Sequence, residues 1–122
     1  GAEAPLDVHS TPHTDESVAI AIQGPEGRIV YTGDTGPSHH LARWASGADL
    51  LLAECSLPDE EAIDGHLTPR SVAQLASAAH AKRLVLTHFY PPVERVDIRA
   101  EVARTYSGPV TLASDGDRFT IG

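Results

Sequence analysis

A single cysteine, Cys55, excludes any disulfide within the 122-residue chain, and it makes a reducing cytoplasm the default setting. Basic residues are also scarce. Nine Lys and Arg stand against 17 Asp and Glu, no basic cluster stands out, and the formal net charge is −8 with histidines neutral. Non-specific nucleic-acid binding draws its affinity mainly from neutralised phosphates, so it is disfavoured. A cation-binding site tolerates the same balance well. No apolar run approaches the ~20 residues needed to cross a bilayer, and no membrane partner is expected. The opening Gly1-Ala2-Glu3-Ala4-Pro5 lacks both the basic and the apolar segment of a signal peptide and reads as a cut edge. Internal repeats, domain linkers and low-complexity stretches are missing too. What remains is an ordinary globular mix, 41% hydrophobic and 21% charged, in one domain's length of chain. Seven histidines are a rich supply and point towards metal or proton chemistry.

Residue patterning predicts strands at Leu6–Val8 and Val18–Ile22, then a turn at Gly24-Pro25-Glu26-Gly27 and a strand over Arg28–Thr32, so that Val18–Thr32 is a hairpin. Ser38 suits the N-cap of a helix to about Ser46, stopped by Gly47. Ala48–Cys55 is nearly all apolar, as a strand covered on both faces is. After a polar loop, Pro58–Gly65, Thr68 as N-cap and Pro69 at the first helical position open a helix through about His80. Arg83–Thr87 reads as another buried strand, Ile98–Tyr106 as a helix, and Pro109–Ala113 and Arg118–Ile121 as closing strands. The order β-β-β-α-β-α-β-α-β-β is an α/β pattern.

Placement singles out four residues. Asp34, Glu54 and His88 each fall at or just past the C-terminal end of a predicted strand, and His66 lies in a loop directly before a helix. Ligand sites form at that edge of open α/β sheets. Asp and His are suitable donors for Zn²⁺, Mn²⁺ or Fe, and an Asp carboxylate can bridge two ions. Plainer roles exist for each: Asp34 as a turn or cap residue, His88 as a buried histidine satisfied by a carbonyl, His66 as a solvated loop residue. Glu54, at the end of an apolar strand, is costly to bury without a partner. His9, His39, His40 and His80 read as surface residues, and Cys55 and Trp44 as core residues.

Taken together, the motifs carry a resemblance. Tyr31-Thr32-Gly33-Asp34-Thr35 resembles the strand-plus-GDT motif of the metallo-β-lactamase superfamily, and Leu86-Thr87-His88-Phe89 resembles its last histidine ligand. Gly65-His66-Leu67-Thr68 is similar to the GHST box of the ribonuclease Z branch, and Ala53-Glu54-Cys55-Ser56 to that branch's HEAT box. The closing Ala113-Ser114-Asp115-Gly116 fits the family's ending. The match covers nearly the whole chain, with the motifs in the correct order. Two departures stand out: the HxHxDH segment and the isolated histidine that follows it are absent, and the HEAT-like box keeps only its Glu.

The resemblance implies that residues 1–122 are the C-terminal half of a metallo-β-lactamase αββα sandwich, a mixed sheet with helices on one face. Asp34 and His88 would be metal ligands, His66 a proton donor oriented by Glu54, and His13 a residue lining the substrate. The cofactor would be Zn²⁺, two ions in the complete domain, with Mn²⁺ or Fe as alternatives. The partner would be the N-terminal half of the same domain or a second copy of the chain. The implied activity is metal-dependent hydrolysis of a small-molecule or nucleotide phosphodiester, by a site that this chain alone does not complete. Two alternatives stay open: a hydrolase of lactones, thioesters or sulfate esters, and a metal-free structural or interaction half-domain.

Overall fold

The computed structural model describes residues 6–87, 97–114 and 116–118. Among them six strands form one sheet in sequence order: β1 (Leu6–Ser10), β2 (Val18–Gly24), β3 (Gly27–Tyr31), β4 (Leu50–Glu54), β5 (Leu84–Thr87) and β6 (Val110–Leu112). β1, β2 and β3 pair antiparallel, and the steps from β3 through β6 are parallel. The hairpin turn predicted at Gly24–Gly27 closes β2 on β3, with Gly24 opposite Gly27. Each parallel step is bridged by a helix, α1 (His39–Trp44), α2 (Pro69–Ala78) and α3 (Ile98–Ala103) in turn, as parallel strands require.

Local chemistry explains the helix starts. The Ser38 hydroxyl accepts from the Leu41 N–H at 3.1 Å, and Thr68 and Ser71 satisfy each other's backbone N–H in a capping box with Pro69 in the first turn. The helix ends lie earlier than the patterning predicts. α2 stops at Ala78, and His80 adopts a left-handed φ of 52°. α3 stops at Ala103, beyond which the Tyr106 hydroxyl donates to the Ala81 carbonyl at 2.7 Å. The polar loop after β4 holds an unpredicted 3₁₀ turn at Asp59–Glu61. His88 and the segment to Arg95 lie outside the described residues, as does most of the predicted Arg118–Ile121 strand.

Alternation along the strands divides the sheet into two unlike faces. Ala21, Val30, Leu51, Leu84 and Val110 lie opposite one another across β2 to β6 and join Leu41, Val72 and Val102 of the helices in one core. Trp44 packs at its margin, its indole N–H donating to Asp7 on β1. On the other face Leu6 pairs with Ile22, Val8 with Ile20, and Ile20 with Tyr31. Over β1 to β3 that side is open: Leu6 is 66% and Val8 54% exposed, and Val18, Ile22 and Tyr31 are exposed with them. Monomeric proteins rarely leave so contiguous an apolar surface open, and such a surface marks an interface.

Candidate active site at the sheet edge

β3, β4 and β5 run parallel, so their C-terminal ends share one edge of the sheet. β2 runs antiparallel to β3, which brings the β1–β2 connection, with His13, to that same edge. Gly33-Asp34-Thr35 follows β3, Glu54 ends β4, and Thr87 ends β5 immediately before His88. The loop Gly65-His66 arrives from the other direction, ahead of α2. Backbone ties hold these loops together. Thr11 donates its hydroxyl to the Asp34 carbonyl at 2.9 Å, and the Gly36 N–H donates to the Pro12 carbonyl at 2.8 Å. A Cβ on Gly36 would sit 3.0 Å from the Gly65 nitrogen, and one on Gly65 would sit 2.9 Å from His13 Nδ1 at a φ of 85°. Both positions need glycine, because two backbones and an imidazole meet there.

Glu54 is buried to 1% exposure and fully engaged. Its Oε1 accepts from the Thr35 N–H at 2.7 Å, and its Oε2 accepts from the Ser56 hydroxyl and from His66 Nδ1, the latter at 3.0 Å. The carboxylate therefore has the hydrogen-bonded partners that a buried charge requires, and among the described residues no buried side-chain polar atom lacks one. An ionised carboxylate only accepts, so Nδ1 of His66 carries a proton.

His13 and Asp34 form a second pair. His13 Nδ1 lies 2.7 Å from the Gly65 carbonyl, an atom that can only accept, so in the neutral ring Nε2 holds the lone pair. Nε2 faces Asp34 Oδ2 at 3.7 Å. Two donors bonded to one zinc at ~2.0–2.2 Å stand at most ~4.2 Å apart, and the spacing fits. A backbone carbonyl on the remote ring nitrogen is the usual support of a ligating histidine. The His13 and His66 rings meet edge to face, 4.9 Å between centroids, so the two pairs are neighbours. Among the described residues no group of three such donors converges, and His88 lies outside them. A cleft of about 710 Å³, bordered by Pro12, His13, Gly36, Asp64 and Gly65, opens beside His13 and falls within the size of small-molecule sites.

The structure thus brings Asp34, Glu54, His66 and His13 to one edge. His39, His40 and His80 are exposed, and His9 rests against Trp44 at 5.3 Å. Burial pushes the Cys55 thiol up to about 12, with Asp59 and Glu54 adding to the effect, so Cys55 is a core residue and no nucleophile.

A mixed sheet with bridging helices, and with carboxylate and imidazole groups gathered at its strand ends, is the α/β architecture of metallo-β-lactamase folds. The family described as "Beta-lactamase superfamily domain" matches residues 2–89. Ribonuclease Z of Methanothermobacter thermautotrophicus is 38% identical over 98 residues, covering 77% of this chain and 31% of the relative. The metallo-β-lactamase fold protein YhfI of Bacillus subtilis superposes with a TM-score of 0.84 at 27% identity, covering 92% of this chain and 47% of its own. The short form of human tRNase Z superposes at 0.76 and 26% identity, covering 100% of this chain and 44% of its own. The chain belongs to the metallo-β-lactamase superfamily and is ribonuclease Z-like. It spans between 31% and 47% of the length of these relatives.

Proposed function

We propose that this chain supplies the C-terminal half of a metal-dependent phosphodiesterase site of the ribonuclease Z type, with His66 as its general acid. The observation that carries the reading is the buried Glu54–His66 pair beside the facing His13–Asp34 pair. Asp34 and His13 would hold the metal, together with His88 by motif resemblance. The sequence reading places His13 among lining residues, but its carbonyl-fixed tautomer and its approach to Asp34 support a ligand. Bound Zn²⁺, with Mn²⁺ or Fe as alternatives, would supply a Lewis acid and stabilise charge developing on the phosphoryl oxygens. Glu54 holds the imidazole so that Nε2 faces the reacting group, and His66 delivers a proton to the leaving oxygen. Glu54 keeps Nδ1 protonated, so the proton taken up and delivered is the one at Nε2.

The partner we propose is the N-terminal half of the same domain, whose sheet would cover the apolar face of β1 to β3. The fraction of each relative that the chain spans supports this, and so does the exposure of Leu6, Val8 and Ile22. Sedimentation equilibrium of the 122-residue chain alone is expected to give dimers or larger species. A cooperatively folding monomer at high concentration would mean that the face is closed in another way.

The substrate class we propose is a small-molecule or nucleotide phosphodiester. Carboxylates Asp15 and Asp64 border the cleft, and the charge of −8 works against a long polyanion. Bis-p-nitrophenyl phosphate tests the activity. The complete domain is expected to hydrolyse it with added Zn²⁺ or Mn²⁺, and the isolated 122 residues little or not at all, because a catalytic zinc takes about three protein ligands. A metal-dependent rate from the isolated chain would refute the division of the site. No rate from the complete domain on any phosphodiester would favour another ester class.

A further inference from the structure

The Glu54–His66 pair has a third member. We propose that Ser56 is a positioning residue for the proton relay, an assignment that rests on the functional reading of that pair. Its hydroxyl donates to Glu54 Oε2, the same oxygen that accepts from His66 Nδ1. Its backbone N–H donates to the Leu67 carbonyl at 3.1 Å. Ser56 therefore grips both the carboxylate and the loop that carries His66. The two residues are at the end of β4 and just past it, separated by Cys55, whose raised thiol offers no competing charge.

The geometry gives the hydroxyl a specific task. Glu54 has two oxygens, and the Thr35 N–H claims one of them. The other is shared by Ser56 and His66. A carboxylate can turn about its terminal torsion, which is broad and two-fold, and each donor fixed to it narrows that freedom. With Ser56 in place Oε2 stays aimed at Nδ1 and the imidazole keeps its proton there. Without the hydroxyl, Oε2 loses the donor that fixes it independently of His66, and the Thr35 N–H still holds Oε1. Both Ser56 and Thr35 are fully buried, so bulk water does not replace the lost donor freely. The HEAT-like box thus departs from the family pattern at Ser56 in carbon skeleton but keeps a hydroxyl, and the hydroxyl is the part that touches Glu54.

Ser56→Ala and Ser56→Thr in the complete, metal-loaded domain separate this role from a structural one. Ser56→Ala is expected to lower kcat on the order of 10-fold, as loss of an orienting outer-shell partner does, with KM and metal content unchanged. Ser56→Thr is expected to restore kcat. The second readout is independent of turnover: ¹⁵N–¹H spectra of the imidazoles should show His66 as one Nδ1-protonated tautomer in the wild type and in Ser56→Thr, and as a mixture in Ser56→Ala. A single tautomer and a wild-type kcat in Ser56→Ala, alongside a slowed Glu54→Gln, would overturn the assignment. If the wild-type domain hydrolyses no phosphodiester, the functional reading fails by itself, and the tautomer spectra still decide what Ser56 does.

Discussion

Asp34→Ala in the complete domain is expected to strip the metal and remove hydrolysis together. Asp34 follows β3 on a loop tied to the β1–β2 connection through Thr11 and through Gly36 with Pro12. Its carboxylate faces His13 Nε2. Alanine leaves that nitrogen without its co-donor, and no other described His, Cys, Asp or Glu completes a group of three there. A bound metal is worth several kcal/mol of transition-state stabilisation, and each 1.36 kcal/mol is tenfold in rate, so the loss is about 10³-fold or more. The tie from Thr11 uses the Asp34 carbonyl, which alanine keeps, so the fold should survive. Circular dichroism on the same sample checks that the loss is chemical.

His66→Ala is expected to behave differently, keeping its metal while kcat falls ~10²–10⁴-fold, the usual worth of a positioned proton donor. The ring is held by Glu54 at 3.0 Å, whereas His13 is fixed by the Gly65 carbonyl, so removing the His66 ring is expected to leave the metal pair in place. Glu54→Ala should be worse for stability than His66→Ala. It strands the Thr35 N–H and the Ser56 hydroxyl in a buried pocket, and each unsatisfied group costs ~1–3 kcal/mol. Glu54→Gln keeps the volume but offers a donor as well as an acceptor, so it loosens the tautomer without emptying the pocket. Metal content, melting temperature and kcat measured on all three variants distinguish relay from ligand.

Much of this architecture is legible in the sequence because local chemistry dictates it. The Ser38 cap, the Thr68-Pro69 start and the Gly24–Gly27 turn act within four residues of themselves, and all three form as read. The apolar run Ala48–Cys55 shows a strand covered on both faces, since even its last residues are buried. The pairing of Glu54 with His66 was legible only through motif resemblance; 12 residues and a 3₁₀ turn separate them. His13 is harder still. Nothing local distinguishes it from His9 or His39. What matters is that β2 runs antiparallel to β3, carrying a loop 21 residues upstream onto Asp34 and locking it with a carbonyl from yet another loop. Ser56 reads as a departure from a motif until its hydroxyl is seen on Glu54. The helices end before the predicted Ser46, His80 and Tyr106, because α2's end depends on His80 turning left-handed and α3's on Tyr106 reaching back to Ala81.

The division of labour at the sheet edge is decided most directly by metal analysis of His13→Ala beside His66→Ala, each in the complete domain purified with Zn²⁺. His13 is 3.7 Å from Asp34 and has its other nitrogen occupied by a carbonyl, whereas the Nδ1 of His66 is committed to Glu54. His13→Ala should come off the column with less zinc than the wild type, and His66→Ala with the wild-type amount. Full zinc in His13→Ala and an emptied site in His66→Ala would reverse the two roles and contradict the site described here.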